Sequence, residues 1–178
     1  GVLTEGYYVN HSTMRDEFVR TMRNYYDFIV RYANLLFERD MNDLSMTHAN
    51  GINEEIIFEN GSFSSYGEPG KIWTIVKEMP GYLVIHLINL SGIESDIWNE
   101  PKKTPPQTAW NIGVEALVYE DVEGIYAASP DIGNGKVRQL DFRYVENRKG
   151  RYIAFTIPEL KFWGMVYIKT KIPAERLP

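Results

Sequence analysis

Cysteine is absent from all 178 residues. That excludes disulfides, zinc–thiolate sites and thiol catalysis, but fixes no compartment, since many secreted proteins also lack disulfides. Positive charge is scarce. Nineteen Lys and Arg face 24 Asp and Glu, for a net charge of −5 and a pI near 5.3. No field therefore draws the chain to nucleic acid or anionic lipid, and neither is expected as a partner. No apolar run approaches the ~20 residues of a membrane span, and no signal peptide opens the sequence. Either the protein is cytosolic or the sequence is an internal or mature segment. The three histidines, His11, His48 and His86, are scattered. There is no His-x-x-x-His pair, no glycine-rich phosphate loop and no Gly-x-Ser-x-Gly elbow. No metal site and no cofactor is expected, and no internal repeat is visible.

What is present is ordinary for a folded domain: 44% hydrophobic, 13% aromatic and 24% charged residues. The length suits one domain with a true core. The hydrophobic period changes once, near residue 40. Between Met14 and Phe37 the apolar positions Phe18, Met22, Tyr25, Tyr26, Ile29, Ala33 and Leu36 step by three and four. That predicts one amphipathic helix about twice the usual length. Ser12 or Thr13 is the expected cap, Asp16 and Glu17 suit the first turn, and Asn42 is the expected stop. Arg20, Arg23, Asn24, Asp27, Arg31 and Asn34 form the wet side.

Beyond Met41 the pattern turns to short β-branched or alternating runs. Expected strands are Glu54–Phe58, Ile72–Glu78, Tyr82–Leu90, Asn111–Tyr119, Ile125–Ala128, Val137–Val145, Tyr152–Ile157 and Met165–Thr170. Turn signals separate them, among them Asn60-Gly61, Pro69-Gly70, Pro80-Gly81 and Gly133-Asn134-Gly135. Strands so spaced read as an antiparallel sandwich or barrel, with Gln139–Val145 and Tyr152–Ile157 as a hairpin, and a Greek-key β-sandwich is the fold expected. Tyr82–Leu90 reads as a central strand because its apolar run is nearly continuous. Ser91–Trp110, with three prolines, is the one long unpatterned stretch. Two accounts of the helix stand side by side. It lies across one sheet, or it belongs to a preceding domain.

Catalytic chemistry is hard to find. Glu54-Glu55, Glu120-Asp121 and Glu94 with Asp96 read as turns and solvated edges, not as an acid and nucleophile for glycoside hydrolysis. Ser129–Gly135 reads as a tight turn rather than a calcium loop. His86 reads as a hydrogen-bonded strand residue. No catalytic residue is assigned. Tryptophan is the remaining signal, because an exposed indole face stacks on sugar rings while a buried one is core. Trp73 and Trp163 read as core. Trp98 and Trp110, which bracket the long loop, are the candidates for stacking.

Several segments resemble glycoside hydrolase family 66, the endo-dextranases and cycloisomaltooligosaccharide glucanotransferases. Glu5-Gly6-Tyr7-Tyr8-Val9-Asn10 resembles the loop after the family's last barrel strand. The Tyr25-Tyr26-Asp27-Phe28 … Tyr32-Ala33-Asn34-Leu35-Leu36 run resembles the helix that follows it. Lys71-Ile72-Trp73, His86-Leu87-Ile88-Asn89-Leu90, Asp96-Ile97-Trp98 and Ala128-Ser129-Pro130-Asp131 resemble the family's C-terminal β-sandwich, in order. So does Phe155-Thr156-Ile157-Pro158-Glu159-Leu160 with Trp163-Gly164-Met165-Val166-Tyr167. Gly6 and Val9 depart from the family loop, including its proline.

The resemblance implies that residues 1–40 are the terminal loop and last helix of a (β/α)8 catalytic barrel, and 41–178 an appended sandwich. It implies a retaining two-carboxylate enzyme acting on α-1,6-glucan, whose aspartate nucleophile and acid/base glutamate lie upstream of residue 1. This part would then be structural, with the barrel as its partner, polysaccharide as a second partner, and a location outside the cell or at its surface. Tyr7, Tyr8, Asn10, Trp98 and Trp110 are the candidate sugar contacts. The alternatives are a carbohydrate-binding module built on Trp98 and Trp110, or a protein-interaction sandwich whose helix docks a partner.

Overall fold

The computed structural model describes residues 15–48, 54–95, 97, 100, 104–147 and 149–172. It is mainly β, with one main helix. Helix α1 spans Asp16–Arg31 and a single turn α2 spans Ala33–Leu36. Next come β1 (Asn42–Asp43), the short helix α3 (Ser45–His48), β2 (Ile56–Glu59), β3 (Phe63–Ser64), β4 (Ile72–Met79) and β5 (Tyr82–Asn89). They are followed by β6 (Ala109–Leu117), β7 (Val122–Ala128), β8 (Arg138–Leu140), β9 (Phe142–Asn147), β10 (Gly150–Leu160) and β11 (Trp163–Thr170). A seven-stranded sheet runs β1-β4-β5-β11-β7-β8, with β3 beside β4, and a four-stranded sheet runs β2-β6-β10-β9. All pairings are antiparallel except β3 with β4.

The two sheets face each other across one apolar core. The four-stranded sheet contributes Ile56, Ile112, Val114 and Phe155; the seven-stranded sheet contributes Ile72, Val76, Ile85, Leu87, Val166 and Ile168. A second, smaller core lies on the outer side of the large sheet, where Phe28 and Tyr32 cover Met79, Val84, Ala128 and Met165. The pleat sends successive side chains to opposite faces. Ile85 and Leu87 therefore point into the sandwich, while Val84 and His86 point to the helix. That explains the continuous apolar run of β5: it is an interior strand buried on both sides, as expected. Ile88, at its end, is only half-buried.

The β4–β5 hairpin turns at Pro80-Gly81, with Gly81 at φ +80°, the left-handed position that a proline-led type II turn requires.

Three expectations need correction. The helix is not one uninterrupted run over 14–37. It breaks at Tyr32 (φ −109°, ψ 22°), and the cap of α1 is Arg15, whose side chain makes no capping bond. Ser12 and Thr13 lie outside the described residues, and Asn42 sits in β1 rather than at a helix end. The break falls at a residue whose phenol is tied to the carbonyl of Gly135 at 2.8 Å. The packed face also differs from the expected stripe. Phe18, Met22, Tyr25, Ile29 and Leu36 are all half-buried, whereas the anchors are Phe28 and Tyr32. Finally, Val137–Val145 is two strands in two sheets, β8 in the large one and β9 in the small one.

Candidate functional site

The helix is fastened to the large sheet by aromatic contacts and a short polar ladder. Phe28 meets the Trp163 ring edge-on at a centroid distance of 4.8 Å, and Tyr25 adds a tilted contact with the same indole at 6.2 Å. The Tyr25 phenol donates to Asp131 Oδ1 at 2.6 Å. Asp131 Oδ2 accepts the backbone N–H groups of Phe162 and Trp163 at 3.2 and 2.9 Å. Burial, and then the adjacent Asp131 carboxylate, hold the Tyr25 phenol well above the usual phenolic range. It therefore stays a donor. Ser129–Gly135 is a tight turn, as expected. Asp131 works there as an acceptor at a seam, with both oxygens occupied.

Beneath this ladder, Trp163 Nε1 donates to His86 Nδ1 at 3.3 Å. His86 is 7% exposed, and burial, followed by the Lys77 charge, lowers its pKa to about 4. It is a neutral acceptor in a strand, not a ligand or a base. Trp73, the other tryptophan read as core, is half-buried and donates to the Ser65 carbonyl at 3.1 Å.

The opposite side of the helix is different. Val30 is 76% and Phe37 73% exposed, and Tyr26 is exposed beside them. Tyr26 and Val30 lie one turn apart on α1, with half-buried Met22 and Ile29 near them on the side of the helix away from Phe28.

Of the candidate sugar contacts, Trp110 is described and the rest are not. It lies in β6 opposite Glu159 and is 59% exposed, so its indole is not core. Tyr7, Tyr8, Asn10 and Trp98 lie outside the described residues. Trp110 is thus the one of the five whose place in the fold is described. Gln107, two residues before β6, is held by a side chain that the sequence did not single out for this role. Buried Asn89 donates from Nδ2 to the carbonyls of Gln107 and Lys161 at 2.7 and 2.8 Å, and accepts from the Ser91 N–H at 3.0 Å.

Among the described residues, the carboxylates that depart from their usual range all move down. Burial pushes Asp43 up, but hydrogen bonds from Lys77 and Ser45 override it and set it near 2. Glu68 is lowered by Lys71 and Asp121 by Arg151. A general acid needs the opposite shift. No helix among the described residues is long and apolar enough to cross a membrane.

The sequence profile of glycosyl hydrolase family 66 matches residues 1–167. A cycloisomaltooligosaccharide glucanotransferase of Niallia circulans is 34% identical over 175 residues, which span 94% of this chain but 17% of that enzyme. A dextranase of Streptococcus salivarius is 28% identical over 196 residues, spanning 98% of this chain and 23% of the enzyme. Among solved structures, a Paenibacillus cycloisomaltooligosaccharide glucanotransferase complexed with cycloisomaltoheptaose superposes with a TM-score of 0.79 at 32% identity. The match covers 93% of this chain and 23% of that one. The chain thus spans about a fifth of the length of these relatives. A match running through the helix, both sheets and the turn at Asp131 leaves one assignment: the chain belongs to glycosyl hydrolase family 66.

Proposed function

We propose that the chain is the C-terminal structural part of a larger secreted enzyme acting on α-1,6-linked glucan. Residues 1–40 would be the terminal loop and last helix of the catalytic barrel, and 41–178 its appended β-sandwich. The observation that carries this reading is the two-sided helix. One side is anchored to the large sheet by Phe28 and Tyr32; the other presents Tyr26, Val30 and Phe37 outward. A barrel helix needs both surfaces, one for the barrel strands and one for the domain behind it. The part supplies packing rather than chemistry, and both carboxylates of a retaining mechanism come from the barrel.

The test is activity with and without upstream sequence. The purified 178-residue chain releases no reducing sugar from dextran, whereas the longer gene-encoded polypeptide does. Turnover by the 178 residues alone, proportional to protein concentration, overturns the structural role. A longer polypeptide without an upstream barrel overturns the assignment to a barrel enzyme.

A second reading rests on Trp110. An indole this exposed beside a sandwich edge offers a stacking face for a sugar ring, which would add polysaccharide binding to the structural role.

A further inference from the structure

The outer face of the four-stranded sheet carries a groove of about 580 Å³. Strand register explains its shape. Glu59, Gly113 and Thr156 form one row across β2, β6 and β10; Ile57, Glu115, Ala154 and Arg143 form the next. The central strands β6 and β10 thus set the small Gly113 and Ala154 beside Thr156 and Glu115, with Glu59 and Arg143 on the flanking strands. A Cβ at Gly113 would sit 3.1 Å from Glu59 Oε2 and 3.2 Å from its Cβ, so the Glu59 side chain lies across the floor. Arg138 and Asp141, where the chain passes from one sheet to the other, complete one wall.

The side chains of Glu59, Glu115, Arg138, Asp141, Arg143 and Thr156 make no hydrogen bond or ion pair among the described residues. Elsewhere on the same surface opposite charges pair readily, as in Lys77–Asp43 at 2.6 Å, Arg151–Asp121 at 3.1 Å and Lys169–Glu123 at 2.6 Å. In the groove, carboxylates and guanidiniums of both signs share one depression and stay apart. Each is a planar group able to make two parallel hydrogen bonds. The charges nearly cancel, which favours neither a phosphate nor a polycation. The complementary ligand is neutral, elongated and rich in adjacent hydroxyl pairs.

We infer that this groove binds a segment of neutral glucan chain. Its choice of α-1,6-linked glucan rests on the proposed function of the parent enzyme; the groove's preference for a neutral polyhydroxyl ligand does not.

The experiment is affinity electrophoresis of the 178-residue chain in gels containing dextran, with dextran-free gels as reference. The wild-type chain is expected to be retarded. Glu115→Ala with Arg143→Ala should raise the apparent Kd at least tenfold, and Gly113→Val, which fills the floor, should do the same by shape alone. These positions are outside the cores, so melting temperature checks that each variant is folded. No retardation of the wild-type chain overturns the inference, even if the longer polypeptide degrades dextran. Retardation insensitive to both groove variants but lost in Trp110→Ala also overturns it, placing binding elsewhere. Conversely, a longer polypeptide inactive on dextran defeats the proposed function, while groove-dependent retardation still establishes this site.

Discussion

The phenol of Tyr25 and the carboxylate of Asp131 meet at 2.6 Å across 106 positions of sequence, and this contact joins the helix to the sandwich. Asp131 also holds the backbone of Phe162 and Trp163, so one side chain fixes both the helix and the start of β11. Tyr25→Phe removes one donor and leaves the carboxylate with two. A loss of about 1–2 kcal/mol is expected. Asp131→Ala strands all three donors and should cost more, about 2–4 kcal/mol. Because the two residues share the bond, the double variant should be less destabilised than the sum of the single ones. Urea unfolding of the four proteins measures this, and strict additivity would show that the bond contributes nothing.

The two sides of the helix should respond oppositely. Phe28 is 1% exposed and fills the space over Trp163, so Phe28→Ala should cost about 3–5 kcal/mol. Val30→Ala, on the exposed side, should change stability by less than about 0.5 kcal/mol in the 178-residue chain. Comparable losses at the two positions in chemical denaturation would mean that the packed face is misassigned.

Why the sequence pointed to a stripe offset from the packed face, which shares only Tyr25 and Leu36 with it, is clear from the residues. Phe18, Met22, Tyr25, Ile29 and Leu36 step by three and four, but so do Phe28, Tyr32 and Leu35. The helix carries overlapping stripes, and periodicity cannot choose between them. Trp163, from more than a hundred residues away, makes the choice. The split of Val137–Val145 was hidden for a related reason. Leu140 and Phe142 pack toward the same core from different sheets, so the alternation runs through the change of sheet unbroken. The longer strands were legible because they carry enough branched or aromatic residues, whereas β1 and β3, two residues each, were not anticipated. Trp110 is exposed, as its place beside the long loop suggested, but it lies inside β6 rather than before it. The groove depends on which small residues align across strands, which only register reveals.

His86 predicts an acid response. In the folded chain its pKa is lowered to about 4 from 6.5, by burial first and then by Lys77. The unfolded chain therefore binds the extra proton between these values, and stability falls as pH drops through that window. The sign is fixed: the contribution is complete above pH 6.5 and gone near pH 4. Its size is about 3 kcal/mol at most. Asp43, held near 2, acts later, as pH falls from about 4. Denaturant midpoints measured from pH 7 to 4 should decline in the native sequence and flatten in His86→Gln. An equal slope in both would assign the acid response to other groups.

The exposed side of the helix gives the test that links the fold to its larger context. Val30 and Phe37 are 76% and 73% exposed here, so a glutamate at either position meets water and disturbs no packing. If a barrel covers this surface in the longer polypeptide, the same substitutions insert a charge into an apolar interface. Burying a valine or phenylalanine contributes about 1.5–3 kcal/mol, and an unpaired buried carboxylate adds a desolvation cost. Val30→Glu and Phe37→Glu should therefore leave the melting temperature of the 178-residue chain within a degree or two. In the longer polypeptide they should lower it by several degrees and reduce activity on dextran together with it. Groove variants such as Glu115→Ala should show no such difference between the short and long proteins. If the helix substitutions are silent in both contexts, the apolar surface is not an interface with the barrel. The helix would then be an accessory of the sandwich alone.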